Sequence, residues 1–116
     1  MSTGEPDVRD LVRDLNGFLG PTLVAALSAS RDRRISIAWA EPDGPVPPSE
    51  ALERLQCAHD QFRLIGGAEG GDVARLWFIG MNPRLGDSSP AEAIREGRFA
   101  DVAAAAREMA EGGGFS

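Results

Sequence analysis

From Val8 onward the hydrophobic residues fall at three- and four-residue steps. Val8, Leu11, Val12, Leu15, Phe18 and Leu19 trace one apolar stripe, with Arg9, Asp10, Arg13 and Asp14 set between them. That period predicts a first helix with one buried face. Gly17 weakens its last turn, and Gly20-Pro21 ends it. A second short helix starts with Pro21 in its first turn and carries Leu23, Val24 and Leu27 inward. Residues 1–7 lack the period and are expected to be frayed. The run after Ser30 supports two readings. Ile35, Ile37 and Trp39 alternate with Ser36 and Ala38, which is a strand pattern. The same residues can instead form the second helix of a helix-turn-helix unit, with Arg31, Arg33 and Arg34 near its exposed start.

Beyond a proline-rich link at 41–48, EPDGPVPP, helical periodicity returns. Ser49 is expected to cap a helix in which Leu52, Leu55, Phe62 and Ile65 share one side, with His59 on the flank of Leu52. The stretch GGAEGG at 66–71 has neither the lysine nor the preceding strand of a phosphate-binding loop, so it is read as a flexible hinge. Asp72 is expected to cap the next helix, whose Val73, Leu76, Trp77 and Met81 form an apolar face closed off by Gly80 and Pro83. Ser89-Pro90-Ala91-Glu92 is a capping box that points Ala91 and Ile94 inward, and Gly97 ends that helix. On the last helix Val102, Ala105, Ala106 and Met109 recur on one face before a triple glycine and Phe115. The reading is an all-α fold.

Composition narrows the chemistry. The 116 residues hold twelve basic side chains, every one an arginine, against eighteen acidic ones, for a net charge of −6. Attraction of the whole chain to nucleic acid is therefore poor, although a local basic edge remains usable. With Cys57 and His59 the only residues of their types, there is neither a zinc ligand set nor an internal disulfide. Cys57 is read as structural, and a lone histidine with no activated partner supplies little for acid–base catalysis. Asp7, Asp10 and Asp14 share a helix face that reads as solvated, their charge offset by Arg9 and Arg13. No enzyme activity, cofactor or metal is expected. The start, MSTGEPDVRD, has no apolar signal core, and no run approaches membrane-spanning length, so the expectation is a cytoplasmic protein.

The segment from Trp77 to Phe115 carries a more specific signal in its order and spacing. Asn82, Pro83 and Leu85 follow an N-P-x-L element, and Ser89, Pro90 and Ala91 follow an S/T-P helix start. Ile94, Arg95, Gly97, Phe99 and Val102 continue the pattern into the last helix. Across about forty residues this resembles the toxin-binding domain of the Xre/MbcA/ParS antitoxin family. The resemblance implies a type II antitoxin that neutralises an RES-domain, NAD-degrading toxin by direct contact, in an oligomeric complex. Its toxin-binding candidates are Arg84, Arg95, Arg98, Phe99, Val102, Met109 and Phe115, because the family's carboxy-terminal tail can approach the toxin's cleft. It also implies a degenerate Xre-like helix-turn-helix lobe at 8–48 ahead of a toxin-binding domain at 49–116, with Trp39 matching the tryptophan near the end of the recognition helix. The family's valine three positions earlier is Ser36 here. Arg31, Arg33 and Arg34 are the weak DNA-binding candidates for operator binding and autorepression. The competing expectation is a helical adaptor or DNA-binding regulator with no toxin partner.

Overall fold

Asp7 opens α1 (Val8–Leu19) by accepting the Arg9 amide on its carboxylate at 2.9 Å, so the residue expected to be frayed is a helix cap. The computed structural model describes residues 7–112, and all that follows concerns them. Leu11, Val12, Leu15 and Leu19 are buried along α1, as their spacing requires. Gly20 ends α1 and leads directly into α2 (Pro21–Leu27), which buries Val24, Ala25 and Leu27. Residues 35–40 then form α3 (Ile35–Ala40), and the strand alternative is overturned.

The inward pair on α3 is Ser36 and Trp39, three residues apart, while Ile37 is turned to solvent. A short hydroxyl fits where three helices converge. Ser36 donates to the Pro21 carbonyl at 2.9 Å and accepts, through its own carbonyl, from the Asn16 side chain at 3.0 Å. The end of α3 is held from α1: Arg9 donates to the carbonyls of Trp39, Glu41 and Gly44, and Arg13 to that of Ala40 at 3.2 Å. These donors satisfy carbonyls that a helix terminus leaves without intrahelical partners. Arg13 also pairs with Asp10, as expected; Arg9 is committed to α3 instead of offsetting the acidic face. The link after α3 is tight enough that a Cβ on Gly44 would sit 1.8 Å from the Ala38 carbonyl oxygen.

The longest element, α4 (Ser49–Glu69), buries Ala51, Leu55, Ala58, His59, Phe62 and Ile65 and packs against α1, α5, α6 and α7. Two expectations about its ends fail. Ser49 is the first helical residue and provides no side-chain cap. Gly66 and Gly67 continue the helix, and the only break is Gly70 at φ +97°, a conformation that favours glycine. The glycine run is thus a single sharp corner between two packed helices, with no hinge. It leads into α5 (Gly71–Ile79), whose N-cap is Gly70, leaving Asp72 in the first turn.

Asn82 organises the next loop. Its side chain accepts the Arg84 amide at 3.0 Å, and its backbone bonds to Leu85, Asp87 and Ser88. The 3-10 turn Pro83–Leu85 drives Leu85 into the core. The capping box forms as expected at the start of α6 (Pro90–Arg95): the Ser89 hydroxyl accepts from the Glu92 amide, and Glu92 accepts from the Ser89 amide at 3.0 Å. Finally α7 (Phe99–Ala110) lays Val102, Ala105 and Ala106 against the core. The fold of the described residues is seven α-helices and no strand. Its core is continuous across residue 48, because Phe18 of α1 stacks on Phe62 of α4 with centroids 4.3 Å apart, and Phe62 meets Phe78 of α5.

Candidate interaction surface

The sequence of α5, GDVARLWFI, is apolar around most of its circumference, and a nine-residue helix lying on one side of a core can bury only part of that. Ala74 and Phe78, four residues apart, take the inward line. At about 100° per residue, Leu76 stands roughly 180° from that line, and Val73 and Ile79 stand roughly 120° from it on either side. The consequence is exposure. Leu76 is 65% exposed, Ile79 54% and Met81, just past the helix, 78%. The apolar face expected at Val73, Leu76, Trp77 and Met81 is therefore real but turned mainly outward.

Between this face and the end of α7 runs an open groove of about 340 Å³, lined by Val73, Leu76, Trp77, Gly80, Met81, Asn82 and Met109. It continues along α7 into a second hollow of about 360 Å³ that shares Trp77, Met81, Asn82 and Met109 and reaches Pro83, Arg84 and Glu108. The Trp77 ring stands edge-on to Phe78 with centroids 5.1 Å apart, so the buried phenyl props the indole that forms the groove wall. At the polar end Arg84 and Glu108 pair at 3.0 Å, both about half exposed. Such a pair contributes little stability in water and can exchange partners readily. The walls are positioned by Gly70 and by the Asn82–Ser88 loop.

Of the residues singled out for toxin contact, Met109 and Arg84 meet in this groove. Arg98 is occupied within the chain, donating to the Leu85 carbonyl and to Asp101, both at 3.2 Å, and so ties the start of α7 to the 3-10 turn. Phe99 lies elsewhere, in a shallow acidic hollow between α4 and α7 with Cys57 and Asp60. Arg95 is exposed on α6 beside a smaller cleft of about 170 Å³ that includes Leu23, Ile79 and Glu92. Val102 is completely buried, so its part is in the core and no partner can touch it without unfolding. Phe115 lies outside the described residues. Reasoning from the sequence missed Leu76 and Trp77 as surface residues and Ile79 altogether. The signal was present as a short helix with too many apolar sides.

Arg31 and Arg33 sit exposed in the link before α3, and Arg34 is its N-cap. The helix behind them offers little to a base edge, because its outward residues are Ile37 and Ala38 and its only polar side chain, Ser36, is buried and bonded to Pro21. His59 is buried, with Nε2 3.2 Å from an Asp14 carboxylate oxygen and its ring beside Phe18, and it joins α4 to α1. Burial and the negative charge of Asp60 push the Cys57 thiol up to about 11, against a smaller opposing effect of a hydrogen bond with Gln61. A thiol so held is protonated at neutral pH and a poor nucleophile. Among the described residues no cluster of histidine, cysteine and carboxylates could hold a metal ion, and no helix is long and apolar enough to cross a membrane. No protein-family model, curated protein or solved structure matches this chain.

Proposed function

We propose that the protein is an antitoxin that binds and occludes an RES-domain, NAD-degrading toxin through the outward face of α5 and the groove beside α7. The observation that carries this reading is the row Leu76, Ile79 and Met81, apolar and exposed within six residues, on a frame stiffened by Asn82, Leu85 and the Ser89 capping box. A contiguous apolar patch of this kind marks a contact surface, and burying it supplies the main drive for association. The frame, and not the exposed row itself, carries the sequence resemblance: Asn82, Pro83 and Leu85 build the loop that follows Met81, and Arg84 gives the rim a charge-bearing donor that favours register over raw affinity.

The test is co-expression with an RES-domain toxin encoded beside the gene. A stable complex that restores growth and cellular NAD is the expected result. If both proteins fold and fail to associate, the antitoxin reading is lost, and the α5 surface belongs to an adaptor with another partner. Arg31, Arg33 and Arg34 enter the proposal as phosphate contacts of an oligomeric complex on operator DNA, where several copies would add up weak individual contacts.

A further inference from the structure

We propose that the outward face of α5 is covered in solution by a second copy of the chain, the two related by a two-fold axis through that face. Leu76 and Ile79 crown α5 between two hollows. One is the groove beside α7, lined by Val73, Trp77 and Met109; the other is the cleft of about 170 Å³ on the opposite flank, which Ile79 shares with Leu23 and Ala91. A two-fold contact sets one surface against itself, so a protruding ridge needs a groove beside it on the same face. Here the two are adjacent and both apolar. The α5 ridge of each copy enters the groove of the other, as ridges enter grooves wherever helices pack.

Area and charge favour the same occupant. At 65%, 54% and 78% exposure, Leu76, Ile79 and Met81 leave on the order of 400 Å² of mostly apolar surface open, the size of patch that marks a contact. A stable interface takes about 800 Å² from each partner, an apolar core inside a polar rim. The patch supplies the core, and Asp72, Arg75, Arg84 and Glu108 are exposed beside it to supply the rim. The chain carries a net charge of −6, yet these four side chains are two of each sign. Two such faces meet without a local excess of negative charge, and charges elsewhere are screened beyond about 8 Å at physiological salt. Arg84 and Glu108, paired at 3.0 Å within one chain and each about half exposed, can exchange partners between copies. A strongly charged partner finds no field to complement on this face, whereas a second copy brings the same balanced rim. Any other partner of α5 must then displace that copy, so the face is open only in proportion to free monomer. The inference concerns the chain alone and does not rest on the antitoxin reading.

Sedimentation equilibrium of the intact chain, from about 1 μM to about 1 mM, should show a mass rising from 12.3 kDa toward twice that value. Leu76→Asp and Ile79→Asp should each weaken the association by about tenfold or more while leaving the helical circular dichroism unchanged. Ile37→Asp, which alters an exposed residue of α3, should leave it intact. Trp77 gives a second reading, because Trp39 is only 4% exposed and supplies a constant background. Emission should shift to the blue as concentration rises, and Trp77→Phe should abolish the shift. A mass that stays at 12.3 kDa over the whole range overturns the proposal, and so does a dimer that survives both aspartate substitutions on α5. No toxin is present in this experiment. A monomeric chain that binds toxin removes this inference alone, and a dimeric chain that binds none removes the antitoxin reading alone.

Discussion

Leu76 and Phe78 are two residues apart and have opposite roles. Leu76→Asp removes an exposed side chain, so the unfolding free energy should stay within about 0.5 kcal/mol of the parent. If α5 is the contact surface, the same substitution should weaken partner binding tenfold or more, which is about 1.4 kcal/mol. Phe78→Ala should do the reverse, destabilising the fold by roughly 3–5 kcal/mol through the cavity it leaves. Denaturant unfolding and a binding titration on the two variants separate these effects, and unchanged affinity in Leu76→Asp would remove α5 from the interface. Cys57 gives a second prediction at this scale. Its thiol is raised from 9.0 to about 11, so the folded chain keeps a proton that the unfolded chain loses. Stability from this group is present below pH 9 and falls as pH rises toward 11. Cys57→Ser should flatten that part of the pH–stability profile, and the parent thiol should react slowly with iodoacetamide at pH 8.

At the scale of elements, α3 shows how a periodic sequence misleads when a helix is short. Six residues are too few for alternation and helical spacing to be told apart, and the segment folds as a helix in which the Ser36 hydroxyl donates to the Pro21 carbonyl. The helix that results presents Ile37 and Ala38 outward. Sequence reading of duplex DNA requires donors and acceptors aimed at base edges, which these side chains lack. Any duplex binding by this element should therefore rest on Arg31, Arg33 and Arg34 at phosphates. Titrations of promoter and unrelated duplex should give equal affinities, with a log–log salt slope of about −3 per chain. A promoter preference that survives at moderate salt would show that another element reads the sequence.

The whole molecule joins the two halves of the chain through Phe18, Phe62 and Phe78 in one aromatic column and through the His59–Asp14 contact beside it. Helices before and after residue 48 therefore share buried surface that neither half can satisfy alone. Unfolding should be a single cooperative transition, with near- and far-ultraviolet circular dichroism falling together in denaturant. Two separated transitions would mean that the halves are independent units.

The helices of α1, α2, α4, α6 and α7 were legible because each has a stripe long enough to establish its period or a local stop signal such as Gly20-Pro21 or Ser89-Pro90. Those signals act within a few residues, through backbone geometry and nearby hydrogen bonds, and need no knowledge of neighbours. Burial is a relation between elements and was not legible in the same way. Gly66 and Gly67 continue α4 despite glycine's low helix propensity, and Arg9 serves α3 across a gap of thirty residues, neither of which a local pattern specifies. The candidate surface belongs to this second kind. The sequence alone determined that α5 has more apolar sides than a short helix can bury; only the packing of α4, α5 and α7 decided that Ala74 and Phe78 face inward and Leu76, Ile79 and Met81 face out, because a helix buries whichever line lies nearest its neighbours.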